Sequence, residues 1–213
     1  MDADGSNQIN ISNRVGIDWL YYSFGDRLYF ISDRDSTSRK YFLYEMKWDG
    51  TEVRRVTDYL VHDSWIGSRN EGSELVISAN LEEDSDSRDL IIIDLEGNVL
   101  SRVTNDDFQN TGPQFSPDGS QIVFRSYREG IDELFVIDFD GSNLRQITHY
   151  PADDTTAKDW EYHVGPPQWV NDSTITYMSK QNDNYSIFST SPDGGEPVQI
   201  TPDLTKEGYP SNE

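Results

Sequence analysis

The chain has 213 residues, enough for one sizeable hydrophobic core, and 12 % of them are aromatic, as expected of a chain that folds. A formal net charge of −22 excludes nucleic acid and anionic membrane surfaces as partners, because phosphate binding needs clustered lysine and arginine. The absence of cysteine excludes disulfides, thiolate metal sites and cysteine nucleophiles together.

No apolar run approaches the roughly 18 residues of a spanning helix, so membrane insertion is not expected. The opening MDADGSNQIN is acidic and polar, unlike a secretory signal, which leaves the cytoplasm open as a compartment. Residues 4–12, DGSNQINIS, read as a stray outer strand, since they match DGSNLRQIT at 140–148 position by position. A first repeat follows over about 13–57 and a second over 58–104. A shift of 47 residues aligns Gly25 with Gly72, Leu28 with Leu75, Phe30 with Ile77 and Asp49-Gly50 with Glu96-Gly97.

The third repeat, about 105–148, continues the series with Gly119, Ile122, Phe124 and Asp140-Gly141. Its four stretches TGPQFS, QIVFRS, ELFVID and NLRQIT have strand character. FSPDG, between the first two, reads as a turn: proline fixes φ, Ser116 and Asp118 can bond back to turn amides, and glycine takes the left-handed conformation. Asp-Gly, between the last two, reads as a tight hairpin with both central residues at positive φ. The fourth repeat, about 149–201, lies 53 residues on, with Ile175, Tyr177, Asp193-Gly194 and Thr201 at the matching places. Residues 202–213 read as the start of a further repeat. Helical periodicity is absent throughout.

Four-stranded units every 40 to 50 residues are the signature of β-propeller blades. The expected fold is all-β, with four-stranded antiparallel blades in one propeller domain over 1–213. Four repeats lie in this chain, as a segment of a larger propeller or as a four-bladed ring. The run PQFSPDGSQIVFRSYREGIDELFVIDFDGSNLRQIT resembles the TolB-like propeller repeat, shared by TolB and by the propeller domains of tricorn and prolyl-oligopeptidase-type peptidases. That resemblance implies a binding scaffold in the periplasm or outside the cell, with a protein or cell-envelope partner. It is specific for fold and says little of function, because propellers host many activities.

Within a blade, the turns joining strands one to two and three to four fall at one face and are short and stereotyped. The connections two-to-three and four-to-one fall at the other face and vary in length and chemistry, which makes that face the expected place of recognition. The candidate binding residues lie there: His62, Trp65, Phe108, Tyr127, Arg128, His149, Tyr150, Trp160, Tyr162 and His163. Five of them belong to the long connection 149–164, whose aromatics suit recognition of a protein or glycan or, alternatively, pack down as a local plug.

His62, His149 and His163 share the face, but no His-x-His or His-Glu-x-x-His spacing marks a metal site, and none is assigned. The acidic loop 82–86 offers oxygen ligands for calcium without the spaced pattern of a dedicated loop. No cofactor is otherwise expected. No nucleophile elbow or phosphate loop is present, so the expectation is not an enzyme. The alternatives are a carbohydrate-active lyase or hydrolase using the axial funnel, and a ligand-free propeller fragment that self-associates through its repeats.

Overall fold

The computed structural model describes residues 4–36, 40–62, 65–82, 86–150, 164–181 and 184–201. The first sheet takes its strands in sequence order: β1 (Asp18–Phe24), β2 (Arg27–Ser32), β3 (Phe42–Lys47) and β4 (Arg54–Arg55). In the second, β5 (Leu60–Val61) and β6 (Gly67–Arg69) both pair with β7 (Glu74–Asn80), followed by β8 (Asp89–Asp94) and β9 (Val99–Arg102). The third holds β10 (Asn110–Phe115), β11 (Gln121–Ser126), β12 (Glu133–Asp138) and β13 (Arg145–Gln146). The fourth holds β14 (Gln168–Asn171), β15 (Thr174–Gln181), β16 (Asn184–Thr190) and β17 (Val198–Gln199). All ladders between named strands are antiparallel and, apart from β5 with β7, join strands adjacent in sequence, so each sheet is an up-and-down blade. The one helical turn among the described residues is the short 3-10 segment Asn70–Gly72.

The β period of two decides how the sheets stack, because successive side chains leave a strand on opposite faces. On β2, Tyr29 and Ile31 join the cluster shared with the second sheet, whereas Leu28 and Phe30 face the side on which Ile11 packs. On β7, Leu75, Ile77 and Ala79 face the first sheet and Val76 faces the third. On β11, Ile122 and Phe124 face the second sheet and Val123 the fourth. The second and third sheets therefore bury both faces, which explains near-continuous apolar runs such as LIII in β8.

The closing threonines have one job. The Oγ1 atoms of Thr57, Thr104, Thr148 and Thr201 accept from the backbone amides of Leu43, Leu90, Leu134 and Ile187 at 2.8–3.1 Å. Each caps a third-strand amide just beyond the short outer ladder. The Asp-Gly hairpins differ from the sequence expectation. Gly50, Gly97, Gly141 and Gly194 have φ of +81, +90, +87 and +84°, but the acidic residue before each does not. The glycine instead closes a wider turn, with its amide donating back three residues, as Gly97 does to Asp94 and Gly141 to Asp138. A β-carbon at Gly97 or Gly141 would lie 2.3 or 2.7 Å from the carbonyl oxygen of Val56 or Val103 on the preceding sheet. The hairpin is thus also a contact between blades.

Residues 4–12 form no strand in the structure. Ile11 nevertheless packs against the first sheet, and its carbonyl oxygen lies 2.5 Å from where a β-carbon on Gly50 would be. Val56 and Val103 hold the same place against the next sheets.

Candidate functional site

Ser116 and Asp118 belong to a turn. The Ser116 hydroxyl lies 2.6 Å from Asp118 Oδ1, which also accepts from the Ser120 amide at 2.9 Å, and the Gly119 amide donates to the Ser116 carbonyl at 2.8 Å. These bonds to the carboxylate hold Asp118 below the usual aspartate range, the Ser116 hydroxyl contributing most. The opposite, variable-loop face carries the candidate residues.

Trp65, Phe108 and Tyr127 are exposed there, Tyr127 by 54 %. His149 is also exposed. Trp160, Tyr162 and His163 lie outside the described residues, as do three of the five residues of the acidic loop. Of the two that remain, Glu82 pairs with Arg102 at 3.4 Å. His62 is half-buried; its amide donates to the Ser78 carbonyl, and its buried Nε2 has no partner. Burial, helped by the charge of Arg88, lowers its pKa to about 4. Among the described residues no group of three or more His, Cys, Asp or Glu is placed to hold a metal.

Two candidates spend their polar atoms inside the protein. Arg128 Nε donates to Ser126 Oγ at 3.1 Å, and a terminal nitrogen reaches Asp106 and Asn110, each at 3.1 Å. Its guanidinium lies 4.7 Å from the Phe135 ring centre and 5.2 Å from that of Phe108. The half-buried Tyr150 donates its amide to the Glu133 carboxylate and packs on the cluster between the third and fourth sheets.

Sequence reasoning missed the carboxylates beneath this face. Asp89 is 2 % exposed and accepts from Arg102 at 2.6 Å, from Thr104 Oγ1 at 3.2 Å and from the Asp106 amide at 3.4 Å. Glu133, 1 % exposed, takes the equivalent place one blade on, accepting from Thr148 Oγ1. Buried carboxylates need this many donors to stay charged. A third-strand acid 15 residues before a closing threonine is the available signal. It fails in the first blade, where the place is held by Phe42.

Beside Phe42 a cleft of about 380 Å³ opens between the first and second sheets, lined by Lys40, Phe42, Asp58, Tyr59, Leu60, Asn80, Leu81 and Glu82. Apart from Glu82, in the acidic loop, none of these residues stands out in the sequence as a site. Each is ordinary in its own repeat and becomes notable only when its counterparts are set beside it.

Comparison with known proteins agrees with this architecture. The chain is similar to the Tol-Pal system protein TolB of Syntrophus aciditrophicus, 36 % identical over 56 residues that make up 26 % of this chain and 12 % of that one. Its fold resembles that of TolB from Acinetobacter baumannii, with a TM-score of 0.63, 17 % identity, and 84 % of this chain and 41 % of that one covered. It also resembles oligogalacturonate lyase from Vibrio parahaemolyticus, with a TM-score of 0.53, 16 % identity, and 83 and 62 % covered. The chain spans less than two thirds of each of these proteins, and the two structural likenesses speak to fold alone. The TolB beta propeller domain model matches residues 67–212, more than half of the chain, and the protein belongs to that family.

Proposed function

We propose that the chain is a non-enzymatic binding scaffold that presents its variable-loop face to a protein or cell-envelope partner, in the periplasm or outside the cell. The observation that carries this reading is the division of labour between the two faces. One face spends its turns on closing blades against each other, through glycines such as Gly97 and Gly141. The other holds Trp65, Phe108 and Tyr127 exposed on connections between rigid sheets. Family membership supports a scaffold role, and the net charge of −22 favours a partner with a basic surface. Among the described residues no helix is long and apolar enough to cross a membrane.

Cross-linking capture from an envelope extract tests the reading. A partner retained by the wild type should be lost from a Trp65→Ala, Phe108→Ala, Tyr127→Ala triple variant. It should be kept by Trp48→Ala, which alters an exposed aromatic on the short-turn face. Equal capture by the triple variant would sink the proposal.

A further inference from the structure

Each sheet has a rear side, turned to the sheet before it, and a front side, turned to the sheet after. The rear side carries the same aromatic pair in three sheets: Phe30 with Tyr44, Phe124 with Phe135, and Tyr177 with Phe188, ring centres 5.8–5.9 Å apart. Arg34 lies 4.9 Å from the ring centre of Tyr44, as Arg128 lies 4.7 Å from that of Phe135; Leu81 stands in that place in the second sheet. In the third and fourth sheets the pair packs on the front of the sheet before, against Leu90 and Val103 in one case and Leu134 and Ile147 in the other.

Among the described residues the first sheet has no sheet before it, yet Phe30 and Tyr44 are buried. Ile11 packs on them instead. It stands where Val56 and Val103 stand at the later junctions: its carbonyl oxygen is 2.5 Å from a β-carbon built on Gly50, against 2.3 Å at Gly97 and 2.7 Å at Gly141. The segment around Ile11 is thus a strap lying in the place of an outer strand.

The fourth sheet has the opposite need. On its front, Ile187 and Ile200 answer to Leu134 and Ile147, which are fully buried in the third sheet, but they are 43 and 54 % exposed. The register sets Met178 opposite Ile187 and Val198 opposite Ser189, and cross-strand partners share a side. Tyr185 and Ile200 join them by the period of two. All five apolar side chains are exposed, and apolar surface gathered in this way marks an interaction site.

We propose that the front of the fourth sheet docks the first sheet of a second copy of this chain, head to tail, with Ile200 taking the place that Ile11 holds. The contact continues one made three times within the chain. The second copy brings what that contact uses, the Phe30–Tyr44 pair and Gly50 to receive a carbonyl. The strap and the incoming strand compete for one place, so Ile11 restrains assembly. A head-to-tail contact closes into a ring when its rotation allows, and the four sheets of each copy make eight, within the range of propellers. The contact lies on the side of a sheet and is independent of the loop-face reading.

Sedimentation equilibrium of the whole chain over a wide range of concentration tests this. The mass should rise from one copy to two, and more readily as salt screens the charge of −22 on each copy. Ile187→Lys with Ile200→Lys, both at exposed positions, should weaken association about tenfold or more with little change in thermal midpoint. Ile11→Ala removes a contact made only before assembly and should tighten association several-fold. The Trp65→Ala, Phe108→Ala, Tyr127→Ala variant should associate as the wild type does.

A single copy at every concentration overturns the proposal, as does association untouched by the two lysines. Association weakened by the lysines but indifferent to Ile11→Ala would mean that two fourth sheets meet face to face, and overturns the head-to-tail contact.

Discussion

The junction between the second and third sheets and that between the first and second share one backbone plan. At the short-turn face both close with a glycine hairpin against a carbonyl, Gly141 on Val103 and Gly97 on Val56. At mid-height both interdigitate branched and aromatic side chains with no exposed surface, as at Phe124 and Ile77. At the loop face they part. The later junction is closed by an ionic set, Asp89, Asp106, Asn110 and Arg128, each with two or more partners. The earlier one sets Phe42, Tyr59, Val61 and Leu81 in its place and leaves a cleft. The repeat therefore constrains the buried layers, while the rim can exchange closure for an open cleft at one junction without disturbing its neighbours. Repeat architectures permit this because each unit contacts only those beside it.

The contrast can be attacked at several strengths. The hardest blow is Phe124→Ala, which empties a fully buried site beneath Arg128; it should cost about 3–5 kcal/mol in urea unfolding. Arg128→Leu imitates the second blade at the third and leaves Asp106 and Asn110 without their cation. It should cost about 2–3 kcal/mol, less than a fully buried pair because Asp106 remains partly exposed. A loss below about half a kcal/mol would show that the ionic rim does not stabilise the closed junction.

Gly97→Ala and Gly141→Ala probe what the junctions share. Each needs a positive φ and pushes a β-carbon into a carbonyl, so each should cost about 1–3 kcal/mol, and by similar amounts. Unequal costs would mean that the junctions already differ at the short-turn face.

The pH dependence isolates the loop face. His62, with a folded pKa of about 4 against 6.5 in the unfolded chain, contributes stability that is fully present above pH 6.5 and lost as the pH falls towards 4. His62→Gln should remove about 1–2 kcal/mol of that acid dependence, allowing for screening at a partly exposed group. Below about pH 4 the two stability curves should run parallel. The smallest effect on folding belongs to Tyr127→Ala, within about half a kcal/mol because the ring is exposed. Partner capture should nonetheless fall with it.

Much of the frame is legible in the amino-acid sequence. The 47-residue shift pairs Leu28 with Leu75 and Phe30 with Ile77, and those pairs occupy matching core places. The closing threonines, read from VRRVT, LSRVT, LRQIT and VQIT, recur as one hydrogen bond in four sheets. FSPDG is legible as a turn, since proline, glycine and short polar side chains encode local geometry directly.

The Asp-Gly hairpins are legible as turns but not in type. The dipeptide signals where the chain reverses, and the pairing register on either side decides which residues take positive φ. Arg128 stands out as a binding residue because it lies on a variable loop. Two of its polar partners, Asp106 and Asn110, lie 22 and 18 residues earlier in the chain, across the top of its sheet. The cleft is invisible in the sequence for a related reason: Leu81 looks unexceptional until an arginine is seen filling its place in other blades.

The sequence by itself determined the repeat, the alternation that lets each inner sheet bury both faces, and the turns that end each strand. These are written in spacings shorter than a blade, where backbone geometry and side-chain period act locally. Only the tertiary structure decided which rim residues close a junction and which leave it open. That outcome depends on Phe42 and Leu81 lining one cleft and on Asp106 meeting Arg128, placements set by sheet stacking rather than by neighbourhood in the chain.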